Sequence, residues 1–154
     1  MSVFNRPVVL SEQFTFDAAP AAVRAAFDDV AAIIGCIPGA TVTGQNPDGS
    51  WAAVIGVQYG ETGVRFDGTV QPMTQSPDEI VVAASGRDGK GTINATGEIR
   101  LGLAAAGTGT AVALTASFGF TGILAPLARS ATKFVGPRML QSFGKCLASR
   151  VSAG

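Results

Sequence analysis

The sequence predicts an α+β domain: a seven-stranded, curved antiparallel sheet, two short helices after its first strand, and a long C-terminal helix over its concave face. Three observations carry this. Seven segments alternate apolar and polar residues with a period of two, the turns between them are rich in Gly, Pro and Asp, and residues 122–151 change to a helical period. At 154 residues, 47% apolar and 14% charged, the chain has the size and apolar content of one domain with one core, spanning residues 1–154.

The first strand, 10–17, places Leu10, Phe14 and Phe16 on one face and Ser11, Gln13, Thr15 and Asp17 on the other. Pro20 opens a helix, because proline is tolerated in a first turn, and Val23, Ala26, Phe27 and Val30 recur at helical spacing. A second helical piece, 30–35, runs into Cys36-Ile37-Pro38-Gly39, where Pro38 and Gly39 impose a turn. A short strand over 40–45 and a turn at Asn46-Pro47-Asp48-Gly49 follow. Trp51, Ala53, Ile55, Val57 and Tyr59 then share one face of a long strand. In the next strands Val64, Phe66 and Val70 oppose Glu61, Arg65, Asp67 and Thr69, and Ile80 and Val82 oppose Glu79. Ile93, Ala95, Ile99 and Leu101 oppose Thr92, Asn94, Glu98 and Arg100. Residues 101–128 carry no charge over 28 positions, longer than the roughly 20 that a bilayer span needs. Five glycines and the alternation of Val112, Leu114, Ala116, Phe118 and Phe120 instead mark a strand over 111–120.

The closing helix carries two apolar stripes. Leu124, Leu127, Ala131, Phe134 and Val135 form the first, with Arg129 and Lys133 opposite. Met139, Leu140, Phe143, Cys146, Leu147 and Val151 form the second, its centre displaced by roughly 100° or more on a straight wheel. A straight helix cannot bury both against one surface, so a kink or break at Gly136-Pro137 is expected; otherwise the second stripe faces a partner, a membrane or a ligand.

Composition excludes several chemistries. Without histidine, the chain builds no Ser-His-Asp triad, no Cys-His pair and no His-ligated metal site. Cys36 and Cys146 form no CxxC and stand far apart; they read as two small buried thiols, a disulfide requiring the fold to join them. Gly86-Arg87-Asp88-Gly89-Lys90-Gly91-Thr92 fails the phosphate-loop spacing and joins two strands, so it reads as a hairpin turn. Asp28-Asp29 reads as an exposed helix end. No charged segment followed by an apolar core opens the chain, so a cytoplasmic protein is expected. Net charge is zero, which removes the electrostatic case for nucleic acid, but the zero is a sum of unlike parts. Residues 1–98 hold all eleven acids and five bases; residues 99–154 hold six bases and no acid.

Four stretches in order carry a family resemblance: Phe16-Asp17-Ala18-Ala19-Pro20-Ala21-Ala22-Val23, then Ile37-Pro38-Gly39-Ala40, then Gly56-Val57-Gln58-Tyr59-Gly60 followed by Phe66-Asp67-Gly68, and Gly122-Ile123-Leu124-Ala125-Pro126-Leu127-Ala128. With these the chain resembles the START-like, polyketide-cyclase-like (SRPBCC) helix-grip superfamily and, within it, the G-subunit family of carbon monoxide dehydrogenase. The resemblance implies a non-catalytic accessory protein that attaches a molybdenum hydroxylase to the membrane or hands its electrons to quinone. Members of that family commonly continue into a membrane-reaching tail. This chain ends at Gly154, three residues past its last apolar helix position, so anchoring through its own tail is not expected.

Helix-grip domains usually keep a pocket, which makes the inward apolar residues candidate walls for a bound quinone or lipid. These are Phe27, Ile33, Ile34 and Ile37 from the short helices, Val57, Tyr59, Phe66, Phe118 and Phe120 from the sheet, and Leu124, Leu127, Phe134 and Met139 from the long helix. A polar head group would need a donor from Tyr59, Gln58, Arg65 or Arg138; Tyr59 is preferred as inward-facing, whereas Arg65 alternates onto the wet face. Arg129, Lys133, Arg138, Lys145 and Arg150 would meet an anionic membrane or a partner. No metal ligands, no covalent cofactor and no catalytic residues are expected. The alternatives are a cyclase-like enzyme, a generic hydrophobic-ligand binder, and an interaction module with a filled interior.

Overall fold

Alternation along the chain builds the sheet. The computed structural model describes residues 7–59 and 62–153, leaving aside the side chains at 58, 59, 62, 74, 75, 152 and 153. The strands are β1 (Val8–Phe16), β2 (Ala40–Gln45), β3 (Trp51–Tyr59), β4 (Thr62–Gln75), β5 (Glu79–Asp88), β6 (Asn94–Ala106) and β7 (Gly109–Thr121). The helices are α1 (Pro20–Ala26), α2 (Val30–Gly35) and α3 (Ala125–Ala153). All pairings are antiparallel, in the spatial order β1-β7-β6-β5-β4-β3-β2. Strands β2 to β7 thus form a meander, and β1 joins at the far edge against β7, Val8 opposite Phe118 and Phe16 opposite Thr110. β4 extends past Val70, the last residue of the expected alternation, because a register shift between Pro72 and Thr74 accommodates a proline that has no ladder donor.

Each short element has a local cause. Pro20 occupies the first turn of α1, and the Asp29 side chain caps α2 by accepting from the Ala32 amide at 3.1 Å. Gly39 ends the following turn at φ +80°, and a Cβ there would stand 2.2 Å from the Gly56 carbonyl oxygen. Only glycine suits that position. Val23, Phe27, Ile33 and Ile34 are thereby driven into the core with Phe16, Leu101, Val112 and Leu114. Phe16 and Phe27 meet edge to face, ring centroids 6.1 Å apart.

α3 answers only part of the expectation drawn from its two stripes. It runs through Pro137 without a break, and its buried face follows the second stripe but not the first. Ala128, Thr132, Gly136, Leu140, Phe143, Gly144, Leu147 and Val151 recur at intervals of three or four and are buried, Thr132 partly so. The second stripe is therefore the anchor, and the face continues N-terminally through small residues instead of the first stripe. A Cβ on Gly136 would stand 2.3 Å from Leu10 Cδ1, and one on Gly144 2.0 Å from Phe14 Cζ. α3 and β1 approach each other where the helix has no side chains. Burying Leu140, Phe143, Leu147 and Val151 contributes about 1.5–3 kcal/mol each, enough to decide which face anchors the helix. Large residues of the first stripe point away: Leu124 is 40%, Leu127 49% and Phe134 74% exposed, and neighbouring Ile123 85%.

The cysteines are a second correction. Cys36, at the C-cap of α2, and Cys146, in α3, are joined in a disulfide with Cα atoms 5.4 Å apart across 110 residues of sequence. Sequence separation says nothing about this, because it is the topology that brings the C-cap of α2 against α3.

Candidate ligand site

A cavity of about 200 Å³ opens between α3, the turn after α2 and the middle of β3. Its lining is Pro38, Gly39, Gly56, Val57, Val135 and Met139. The turn and the strand are tied together, the Gly56 amide donating to the Gly39 carbonyl at 2.9 Å. Val135 and Met139, one helical turn apart, form the roof. None of these six side chains ionises, so the described lining offers apolar surface and backbone polar groups.

Val57 and Met139 are the two sequence candidates that line this cavity. Phe27, Ile33 and Ile34 are fully packed core, and Ile37 packs against that core. Phe66, Phe118 and Phe120 lie half-buried on the inner face, Phe118 packed against that core. Leu124, Leu127 and Phe134, expected as walls, are on the exposed side, because the small-residue face of α3 is turned to β1. The side chains of Tyr59 and Gln58 lie outside the described residues. Arg65 is on the surface, 3.6 Å from Asp67, and Arg138 is exposed and away from the lining. Of the remaining bases, Lys133 and Lys145 are exposed and Arg129 is half-buried. Arg150 Nε donates to Cys36 Sγ at 3.2 Å, which draws it toward the disulfide.

Pro38, Gly39, Gly56 and Val135 are not among the sequence candidates. The Ile-Pro-Gly turn is visible in the sequence, but a wall made of backbone leaves no side-chain signal. Glu12 also escapes a search for apolar walls: it shares the inner face of β1 with Leu10 and Phe14 and is half-buried. A second depression, on the outer face, is polar, bordered by Asp67, Thr69, Ser85, Arg87, Asn94 and Thr96. Near its rim Asp88 closes the β5–β6 turn. The Thr92 and Ile93 amides donate to its Oδ1 at 2.8 and 3.0 Å, and the Thr92 hydroxyl donates to Oδ2. The Thr92 hydroxyl, then the Ile93 amide, hold the Asp88 carboxyl below its ordinary range. That turn positions the start of α3, since the Leu124 amide donates to the Thr92 carbonyl at 3.0 Å.

Among the described residues no cluster could hold a metal ion, and no helix is long and apolar enough to cross a membrane. The sequence pattern of the carbon monoxide dehydrogenase G-subunit (CoxG) family matches residues 13–152. The chain belongs to the CoxG family. No curated protein matches it. Several solved structures resemble this CoxG-family chain. A conserved protein from Geobacillus kaustophilus is similar at TM-score 0.78 and 14% identity, over 95% of this chain and 96% of that one. The Zhui aromatase/cyclase from Streptomyces sp. R1128 is similar at TM-score 0.64 and 13% identity, over 95% and 94%. A START superfamily protein from Mycobacterium smegmatis is similar at TM-score 0.57 and 14% identity, over 94% and 97%. This member of the CoxG family therefore has the START-like helix-grip fold.

Proposed function

We propose that the chain is a non-catalytic accessory protein that takes up a lipophilic molecule, a quinone or an isoprenoid lipid, between α3 and the sheet. It would link a molybdenum hydroxylase to the membrane or to the quinone pool. The observation that carries this reading is the cavity beneath Val135 and Met139, walled by apolar groups and backbone. At about 200 Å³ it is smaller than the roughly 300 Å³ at which ligand pockets usually begin, so it suits one ring, with an apolar tail running out along the helix. The exposed Leu124, Leu127 and Phe134 supply apolar surface for such a tail. A cyclase-like enzyme ranks second, because none of the described side chains that line the cavity can exchange a proton.

Lys133, Arg138 and Lys145 are exposed on α3 and carry the charge that would draw it to an anionic membrane, each cation being worth about 1 kcal/mol near the surface. Binding to vesicles containing phosphatidylserine is expected at low ionic strength and lost with added salt. Salt-insensitive binding, or none, counts against this part.

Titration of the purified chain with decylubiquinone tests the ligand reading. Saturable binding is expected, weakened at least tenfold in Met139→Trp, whose ring would fill the cavity, while the thermal midpoint stays within a few degrees. Absence of binding, or equal binding by Met139→Trp, overturns it.

A further inference from the structure

The disulfide and the cavity share their two walls. On α3, Val135, Met139, Cys146 and Arg150 fall within about 60° of one another around the helix axis, so the roof residues and the tether project from one flank. Facing that flank, Cys36 stands two residues before Pro38 and three before Gly39, which form the opposite wall. Cys146 lies roughly 10 Å along the axis from Met139. The other side of α3 is held differently, through the glycine seam with Leu10 and Phe14. A single covalent bond thus fixes the spacing between roof and turn, while the seam leaves α3 attached to the sheet when that bond is cut. Arg150 Nε, donating to Cys36 Sγ, places a cation beside one sulfur, where it favours the thiolate that forms on reduction.

We infer that Cys36–Cys146 is a redox-operated tether that sets the aperture of the cavity, closed when oxidised and widened when reduced by a cellular dithiol. In the reduction, the dithiol supplies two electrons and two protons. The Cys36–Cys146 bond breaks, both residues become thiols, and the reductant leaves as its own disulfide. The turn 37–39 and the α3 flank are then free to separate, held only by non-covalent contact. Ligand would be retained in the oxidised state and exchanged in the reduced one. The binding consequence rests on the ligand reading above; the mechanical one does not.

Hydrogen exchange on the full chain, oxidised and after treatment with dithiothreitol, tests the tether without any ligand. Reduction is expected to speed exchange at least fivefold at the amides of 36–40 and 134–140, prolines 38 and 137 excepted, while the β6 and β7 amides hold their protection. Reoxidation should restore the first rates. Cys36→Ser should reproduce the reduced pattern and be insensitive to dithiothreitol; if it fails to fold, the reversible cycle of the unsubstituted chain still decides. Equal exchange in the two states, or two thiols that glutathione disulfide cannot join, overturns the inference. In parallel, decylubiquinone is expected to dissociate at least threefold faster from the reduced chain. A chain that binds no decylubiquinone in either state refutes the ligand reading, and the exchange difference then stands alone; equal dissociation from both states refutes control of the site by the tether.

Discussion

Gly144→Ala should destabilise the protein, against the usual benefit of replacing a helical glycine. In an unobstructed helix interior the change is worth about 1 kcal/mol in favour of alanine. Here the new Cβ would stand 2.0, 2.3 and 2.4 Å from Phe14 Cζ, Cε1 and Cε2, where carbon atoms rest at about 3.5–4.0 Å. Either the seam opens by about 1.5 Å or Phe14 leaves its rotamer, and overpacking of that kind costs about 1–3 kcal/mol. The net expectation is a loss of about 1 kcal/mol, a fall of about 2–4 °C in thermal midpoint for a domain of this size. The sharper measurement is a urea-denaturation cycle with Phe14→Leu, which shortens the obstructing group. In that background Gly144→Ala should become neutral or stabilising, a coupling of about 1 kcal/mol or more between the two positions. Stabilisation by the single substitution, or additivity within about 0.3 kcal/mol, would refute the close-approach argument.

Leu147→Ala should cost about 2–5 kcal/mol in urea denaturation, whereas Leu127→Ala, on the exposed stripe of the same helix, should cost less than about 1 kcal/mol; a reversed order would invert the assignment of faces. The Asp88 carboxyl is held below its unfolded value, so it contributes stability above that value, near pH 4, and loses it as pH falls through the lower folded value. Asp88→Asn lacks that dependence, so its deficit in thermal midpoint should be largest near pH 7 and shrink toward pH 3; a deficit that grows on acidification would contradict the carboxylate's role. Gly39→Ala meets both a positive φ and the Gly56 carbonyl, and should lose more stability than Gly89→Ala in the open β5–β6 turn, which calorimetry would resolve.

The strands were legible in the sequence because each has one wet and one dry face, and the alternation of Val112, Leu114, Ala116, Phe118 and Phe120 admits no helical reading. The short helices were legible through Pro20 and the Pro38-Gly39 turn. The orientation of α3 was not. Large apolar residues stand at Leu124, Leu127 and Phe134, yet the close approach to β1 is made at Gly136 and Gly144, whose value lies in the atoms they lack. The site was obscured for the same reason. Gly39 and Gly56 line it with backbone, and Phe27, Ile33 and Ile34, as apolar as wall residues, are core because α1 packs on β6, β7 and α3 and α2 packs on β2. Pairing of Cys36 with Cys146 depends on long-range topology, which residue spacing does not encode.

The position of β1 has a consequence for the growing chain. Strands β2 to β7 pair with sequence neighbours and can assemble as they emerge from the ribosome, but among the described residues β1 pairs with β7 alone, about a hundred residues later. Until then Leu10, Phe14 and Phe16 wait on an unpaired edge, exposed to chaperones and to other nascent chains. Synthesis from the N-terminus thus presents the first strand early and closes the sheet last, which makes the interval before residue 121 the period of greatest aggregation risk.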